Sequence, residues 1–117
     1  MQELEVFRQF SDAEGETHIE AFSQEQIKNM TGWTAAKNWR LHIHPPGTFL
    51  DWHPAGGEYI ITTLSGAIEI GYSDGSTKLC TPGTIRFTSD EGKGHTGRVI
   101  GDAPCMVLMV DIGKSEK

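Results

Sequence analysis

The sequence predicts one all-β domain, a sandwich or barrel with a single short helix. Three observations carry this prediction. The chain has 117 residues, a usual size for one compact domain and enough to bury roughly two thirds of the unfolded chain's surface without disulfide or zinc staples. From Lys37 onward, short runs rich in β-branched and aromatic residues alternate with Gly, Pro and Asp at the intervals of a sandwich or barrel. The 14 glycines agree with many tight turns.

The first element is local. Ser23 with Gln26 three residues on forms a capping box, and Phe22 and Ile27 hold the two positions of a hydrophobic staple. A helix is expected from about Gln24 to Met30, with Gly32 ending it. Residues 1–37 read as a strand-and-helix extension before the main β region. Strands are expected at Asn38 to His44, Thr48 to His53, Glu58 to Leu64, Ala67 to Tyr72, Thr77 to Cys80, Thr84 to Thr88, Thr96 to Ile100 and Met106 to Ile112. Ser73-Asp74-Gly75-Ser76 reads as a hairpin turn and Leu64-Ser65-Gly66 as a second reversal. Pro45-Pro46-Gly47 and Thr81-Pro82-Gly83 belong between strands, because proline has no N–H to give to a ladder. Asp12 to Glu16 and Lys114 to Lys117 are expected to be solvated.

Composition sets aside several classes. Sixteen acidic against ten basic side chains give a net charge of −6 with the basic residues scattered, so no phosphate-tracking stripe and no nucleic-acid partner are expected. The longest apolar runs, such as Val107 to Val110, are far shorter than a membrane span. Glu3 and Glu5 stand where an export signal would be basic and then apolar, so a soluble cytoplasmic protein is expected. In that setting the Asn29-Met30-Thr31 sequon has no meaning, and Cys80 and Cys105, outside any zinc spacing, read as buried free thiols.

Five histidines occur, and His42, His44, His53 and His95 fall in the strand-rich region. Residues two apart in a strand share a face, so His42 and His44 point with Arg40 and Asn38, and Trp39, Leu41 and Ile43 point the other way. The polar face is either the solvent side of a sheet or a pocket wall. In the next strand Phe49, Asp51 and His53 are expected on one face, a mixture that suits a pocket. The short loop Pro54-Ala55-Gly56-Gly57 then brings Glu58 back toward His53.

The spacing Gly47, five residues, His53, one residue, Ala55, three residues, Tyr59, six residues, Gly66 resembles the first motif of the cupin superfamily, glycine-x5-His-x-His-x3 or x4-Glu-x6-glycine. Ala55 stands at the second His, Tyr59 at the Glu, and Glu58 is displaced by one position. Gly83 followed by Gly92-Lys93-Gly94-His95 resembles the second motif, with one residue inserted, Asp90 at its proline and Val99 at its terminal Asn. The resemblance spans Asn38 to Ile112 and implies an antiparallel jelly-roll barrel, commonly homodimeric, with a site at one mouth acting on a small organic molecule.

Carried over by position, the resemblance implies His53 and His95 as metal ligands, joined by Glu58 if the loop absorbs one residue. Such a set suits iron, manganese, nickel or zinc and implies oxygenase, lyase or isomerase chemistry. A metal-free alternative uses Glu58 and His53 as an acid/base pair in isomerisation, elimination or cyclisation. A third is a non-catalytic binding or sensing domain. Asp51, His42 and His44 are further candidates for the site. Tyr59 is a candidate proton donor or a core aromatic. Arg40 and Arg86 would bind a substrate carboxylate if they face the interior, whereas Arg86, between Ile85 and Phe87, reads equally as solvent-facing. Gly92-Lys93-Gly94 lacks the phosphate-loop frame and reads as a turn. Trp33, Trp39 and Trp52 read as packing residues, with Trp52 a candidate dimer contact.

Overall fold

The computed structural model describes residues 4–113, so the expectation for Lys114 to Lys117 lies outside the described residues. Ten strands and one helix follow in chain order: β1 (Val6–Ser11), β2 (Thr17–Ala21), α1 (Gln24–Lys28), β3 (Asn38–His44), β4 (Phe49–His53), β5 (Tyr59–Ser65), β6 (Ile68–Tyr72), β7 (Thr77–Cys80), β8 (Ile85–Thr88), β9 (His95–Val99) and β10 (Cys105–Asp111). They form a six-stranded sheet in the order β2-β1-β8-β5-β10-β3 and a four-stranded sheet in the order β4-β9-β6-β7. The fold is an all-β jelly roll, antiparallel except that β1 lies parallel to β8.

The eight strands expected from Asn38 onward form within a residue or two of their expected limits. The extension contributes two strands, and its β1 slots between β2 and β8. The capping box forms as expected, with Gln26 N–H donating to Ser23 Oγ at 3.0 Å and Ser23 N–H to Gln26 Oε1 at 2.8 Å. The helix is shorter than expected and closes at Asn29, whose N–H reaches the Gln26 carbonyl at 3.1 Å, so Gly32 plays no part in ending it. Gly75 has φ +92°, the left-handed backbone that the β6–β7 hairpin requires. The Leu64-Ser65-Gly66 step is no hairpin: it carries the chain from the six-stranded sheet to the four-stranded one.

Packing follows the two-residue period. In β6, Ile68, Ile70 and Tyr72 are buried and Glu69 is exposed. They meet Phe7, Cys80, Val99, Cys105 and Val107 in one hydrophobic cluster between the sheets. Both cysteines are unpaired and buried there. The tryptophans do not pack in the core: Trp33 and Trp52 are exposed, and Trp39, Leu41 and Ile43 form a row on the outer face of edge strand β3, at 69, 52 and 59% exposure. Among the described residues no helix is long and apolar enough to cross a membrane.

The Asp12 to Glu16 turn is structured rather than merely solvated. Asp12 Oδ1 accepts the N–H groups of Glu14 and Glu16, and Lys93 pairs with Glu16 at 2.9 Å. His18 on β2 bridges two carboxylates, Nε2 to Asp12 at 2.7 Å and Nδ1 to Asp74 at 2.9 Å, and so ties the β1–β2 hairpin to the β6–β7 hairpin of the other sheet. The Asp12 hydrogen bond first, and Asp74 second, raise the His18 pKa above its ordinary 6.5. The bridge therefore contributes stability in full below pH about 6.5 and loses it as pH rises through the raised value. The urea midpoint of the wild type should fall over this range, and His18→Gln should remove that dependence; an unchanged slope in the variant would show that the bridge does not couple the sheets.

Candidate functional site

Beside the hydrophobic cluster, with Ile68, Ile70 and Val107 shared between the two, both sheets line a cavity of about 260 Å³. Its wall takes Arg40, His42 and His44 from β3, which share a face, with His42 and His44 half-buried and Arg40 exposed. Tyr59 and Ile61 of β5 and Arg86 and Thr88 of β8 continue it, with His53 of β4 and His95 of β9 opposite.

Two expected neighbours are not in this wall. In β4 the pairing with β9 shifts register between Leu50 and His53. A bulge of this kind inserts a residue and resets which side chains face inward. Leu50 and His53 consequently line the cavity together, while Asp51 and Phe49 are exposed outside it. The expectation that Asp51 shares a face with His53 is thus corrected. Glu58 precedes β5 by one residue; Tyr59 takes the inward position and Glu58 is absent from the wall. The loop does not absorb the one-residue slip.

His95 is the most constrained polar group of the site. It is buried, and its Nδ1–H donates to Asp90 Oδ2 at 2.8 Å. Asp90 has no exposed surface, and its other oxygen accepts from Gln9 Nε2 at 2.9 Å. Gln9 Nε2 also lies 3.1 Å from His95 Nδ1; the shorter, charge-assisted bond to Asp90 assigns the Nδ1 proton. Gln9 Oε1 accepts from the Tyr72 hydroxyl at 2.8 Å and from Arg86 Nη1 at 3.3 Å. Each member of this network comes from a different strand or loop.

The electrostatics follow from burial. Burial pushes the Asp90 carboxyl upward, but the hydrogen bond and charge of His95, with help from Gln9, outweigh it and hold Asp90 below the usual carboxylate value. Burial lowers the His95 pKa below 6.5 despite the opposing pull of Asp90. The pair is therefore an ionised carboxylate beside a neutral imidazole at pH 7, and Nε2 is the nitrogen left with a lone pair. His53 Nδ1–H donates to the Asp51 carbonyl at 2.6 Å. The two rings meet with centroids 4.4 Å apart.

The wall also carries basic side chains, set among apolar ones such as Leu50, Ile61, Ile70, Val107 and Met109. His42 and His44 stack with centroids 4.1 Å apart, and burial first, then Arg40, lowers the pKa of His42. Burial likewise lowers that of His44, with His42, Arg40 and Arg86 adding to it. Both are neutral at pH 7. The lining holds two guanidinium groups, Arg40 and Arg86, and no carboxylate.

Loop geometry fixes the His53–His95 approach. Ala55 N–H donates to the Asp90 carbonyl at 2.8 Å, joining the loops that follow β4 and precede β9. Gly94 has φ +87°, and a Cβ there would collide with the His53 carbonyl oxygen, so glycine is required where the chain enters β9.

The three-ligand set implied by the resemblance is not gathered. Ala55 offers no donor, Glu58 is outside the wall, and among the described residues no group of three His, Cys, Asp or Glu is placed to hold a metal ion. His53 and His95 have the outer hydrogen bonds of metal-binding histidines, but two donors fall short of the three that a catalytic metal site draws from protein. The donor set does not fit the metal.

Gln9 and Asp90 were not assigned to the site from sequence, and Arg86 was left open between a carboxylate binder and a solvent-facing residue. Nothing near Gln9 marks it. Asp90 is visible only as a departure from the second motif. Arg86 misleads because its strand has an apolar face, Ile85 and Phe87, that looks like the core side; that face instead lies under the extension, where Phe22 packs edge-on to Phe87 at 5.6 Å.

No family model matches the chain. Several solved structures resemble it. A cupin domain from Bordetella pertussis Tohama I is 22% identical over 63% of this chain and 78% of its own, with a TM-score of 0.50. A predicted oxalate decarboxylase from Thermotoga maritima is 22% identical over 92% and 91%, with a TM-score of 0.54. A protein from Neisseria meningitidis is 11% identical over 77% and 95%, with a TM-score of 0.53. At these identities the likeness establishes the fold, which is that of a cupin domain.

Replacing Asp90 isolates the network's effect on the base. Asp90→Asn removes the carboxylate that favours imidazolium, so the His95 pKa should fall further below its ordinary value. A histidine NMR titration measures it, and an unchanged value would mean that Asp90 does not act on His95.

Proposed function

We propose that this cupin-fold protein is a metal-independent enzyme of proton transfer acting on a small organic molecule, with His95 as the base. The observation that supports this best is the buried Asp90–His95 pair opening onto the cavity beside His53. It takes the place of the Glu58–His53 pair expected from sequence. A neutral imidazole with a fixed tautomer has the lone pair that a base needs near pH 7.

The chemistry is that of isomerisation or elimination. Nε2 of His95 takes a proton from a carbon next to a carbonyl, and the electron pair left behind moves onto the carbonyl oxygen. The guanidinium groups of the wall favour that developing negative charge. Asp90 stabilises the imidazolium, which returns the proton to a second atom of the substrate or to a leaving group. His53 supplies a second imidazole nitrogen for relay, and Tyr59 an O–H at the wall.

A substrate-independent assay tests this. The protein, treated with chelator, is incubated in D2O with pyruvate, 2-oxobutyrate, acetoacetate and acetone, and carbon-bound deuterium is followed by NMR. Deuterium should enter at the carbon beside the carbonyl, with the rate reduced by about 10²–10⁴-fold in His95→Gln. The rate should fall with decreasing pH through the His95 pKa, below 6.5, because the deprotonated ring is the active form. Exchange that needs added iron, manganese, nickel or zinc would overturn the reading in favour of a metal enzyme. Melting-temperature gain on binding without exchange would favour a binding domain.

We also propose a homodimer formed through the outer face of β3. The support is the exposed row Trp39, Leu41 and Ile43 on a strand with an open edge, which a second copy of the same strand would cover. Sedimentation should give a dimer for the wild type and a monomer for Leu41→Asp; a monomeric wild type would overturn it.

A further inference from the structure

Arg86 is 5% exposed, yet among the described residues no carboxylate lies within ion-pair distance of it. Its Nη1 reaches Gln9 Oε1 at 3.3 Å, an acceptor already engaged by the Tyr72 hydroxyl at 2.8 Å, and its Nε has no hydrogen-bond partner. A buried guanidinium without a counter-ion is costly, and so is a buried N–H left unbonded. Two residues along the same strand, Thr88 is 2% exposed, and its Oγ1 also has no partner. Side chains two apart on a strand share a face, and both line the cavity.

From this coincidence we infer that Arg86 and Thr88 form a receptor for the carboxylate of a small organic acid, the guanidinium pairing with its oxygens and the threonine hydroxyl donating to one of them. The inference rests on the proton-transfer reading only in naming this acid as the substrate.

The charge of the wall supports a singly charged group. One buried guanidinium is present, the neighbouring imidazoles are neutral, and Arg40 is exposed. A phosphate dianion would call for more charge. The planar fork of arginine matches a carboxylate edge to edge. At about 260 Å³ the cavity suits a small acid. Gln9 bonds to both Arg86 and Asp90, so the same side chain braces the anion receptor and the base.

The test uses the full chain labelled with 15N-arginine, with the Arg86 Nε–H resonance assigned by its loss in Arg86→Lys. Pyruvate, acetone and inorganic phosphate are titrated in a buffer without carboxylate or phosphate. Pyruvate should move the Arg86 resonance saturably and raise the melting temperature, with acetone inert and phosphate weaker. Arg86→Met and Thr88→Val should each weaken pyruvate binding, the first by about tenfold or more. If Arg86→Met fails to fold, the wild-type titration and Thr88→Val still decide. An Arg86 resonance unmoved by pyruvate, or phosphate or acetone binding as tightly, would overturn the inference. Pyruvate binding through Arg86 without deuterium exchange would sustain it and overturn the proton-transfer reading. Exchange into pyruvate with Arg86 unmoved would do the reverse.

Discussion

The fully buried carboxylate of Asp90 sets the constraint on which the site depends. An ionised group in that position needs each of its oxygens satisfied, and Gln9 and His95 supply one donor apiece. Gln9 meets this demand because β1 lies beside β8, with Gln9 opposite Thr88. Its amide oxygen then takes up Tyr72 from the other sheet and Arg86 from its own. One polar network thus links the two sheets at the boundary between the hydrophobic cluster and the cavity. It also fixes the tautomer of His95 and so leaves the lone pair on Nε2.

A second consequence is electrostatic. The chain carries a net charge of −6, yet its cavity is lined by two arginines, four histidines and no carboxylate. The one acid of the site is held behind His95, where it supports an imidazole and is shielded from ligand. A field of this sign inside an acidic protein favours anions at the cavity over the outer surface. The carboxylates of the outer surface do other work: Asp12 and Asp74 clamp His18 across the two sheets, and Glu16 holds Lys93.

Much of the fold was legible because its signals are local. The capping box at Ser23 and Gln26, the Asp74-Gly75 turn and the alternation of Ile68, Ile70 and Tyr72 each depend on residues a few positions apart. The faces of β3 were also legible, since Arg40, His42 and His44 obey the two-residue period without interruption. The site was harder to read. A bulge in β4 moved Asp51 outward, and no local pattern announces a bulge. The inward position at the start of β5 fell to Tyr59 because strand register is set by the partners β8 and β10, leaving Glu58 outside. Arg86 was ambiguous because an apolar strand face can be covered from outside as well as from the core.

The sequence by itself determined the class of fold, the positions of most strands, and the gathering of imidazoles in the β region, because periodicity, turn chemistry and capping act over short stretches of chain. Only the tertiary structure decided which polar groups meet. Gln9 lies 81 residues from Asp90 and 77 from Arg86, and contacts of that span are fixed by sheet order and by the requirement that buried charges and donors be paired, conditions that no local stretch of sequence encodes.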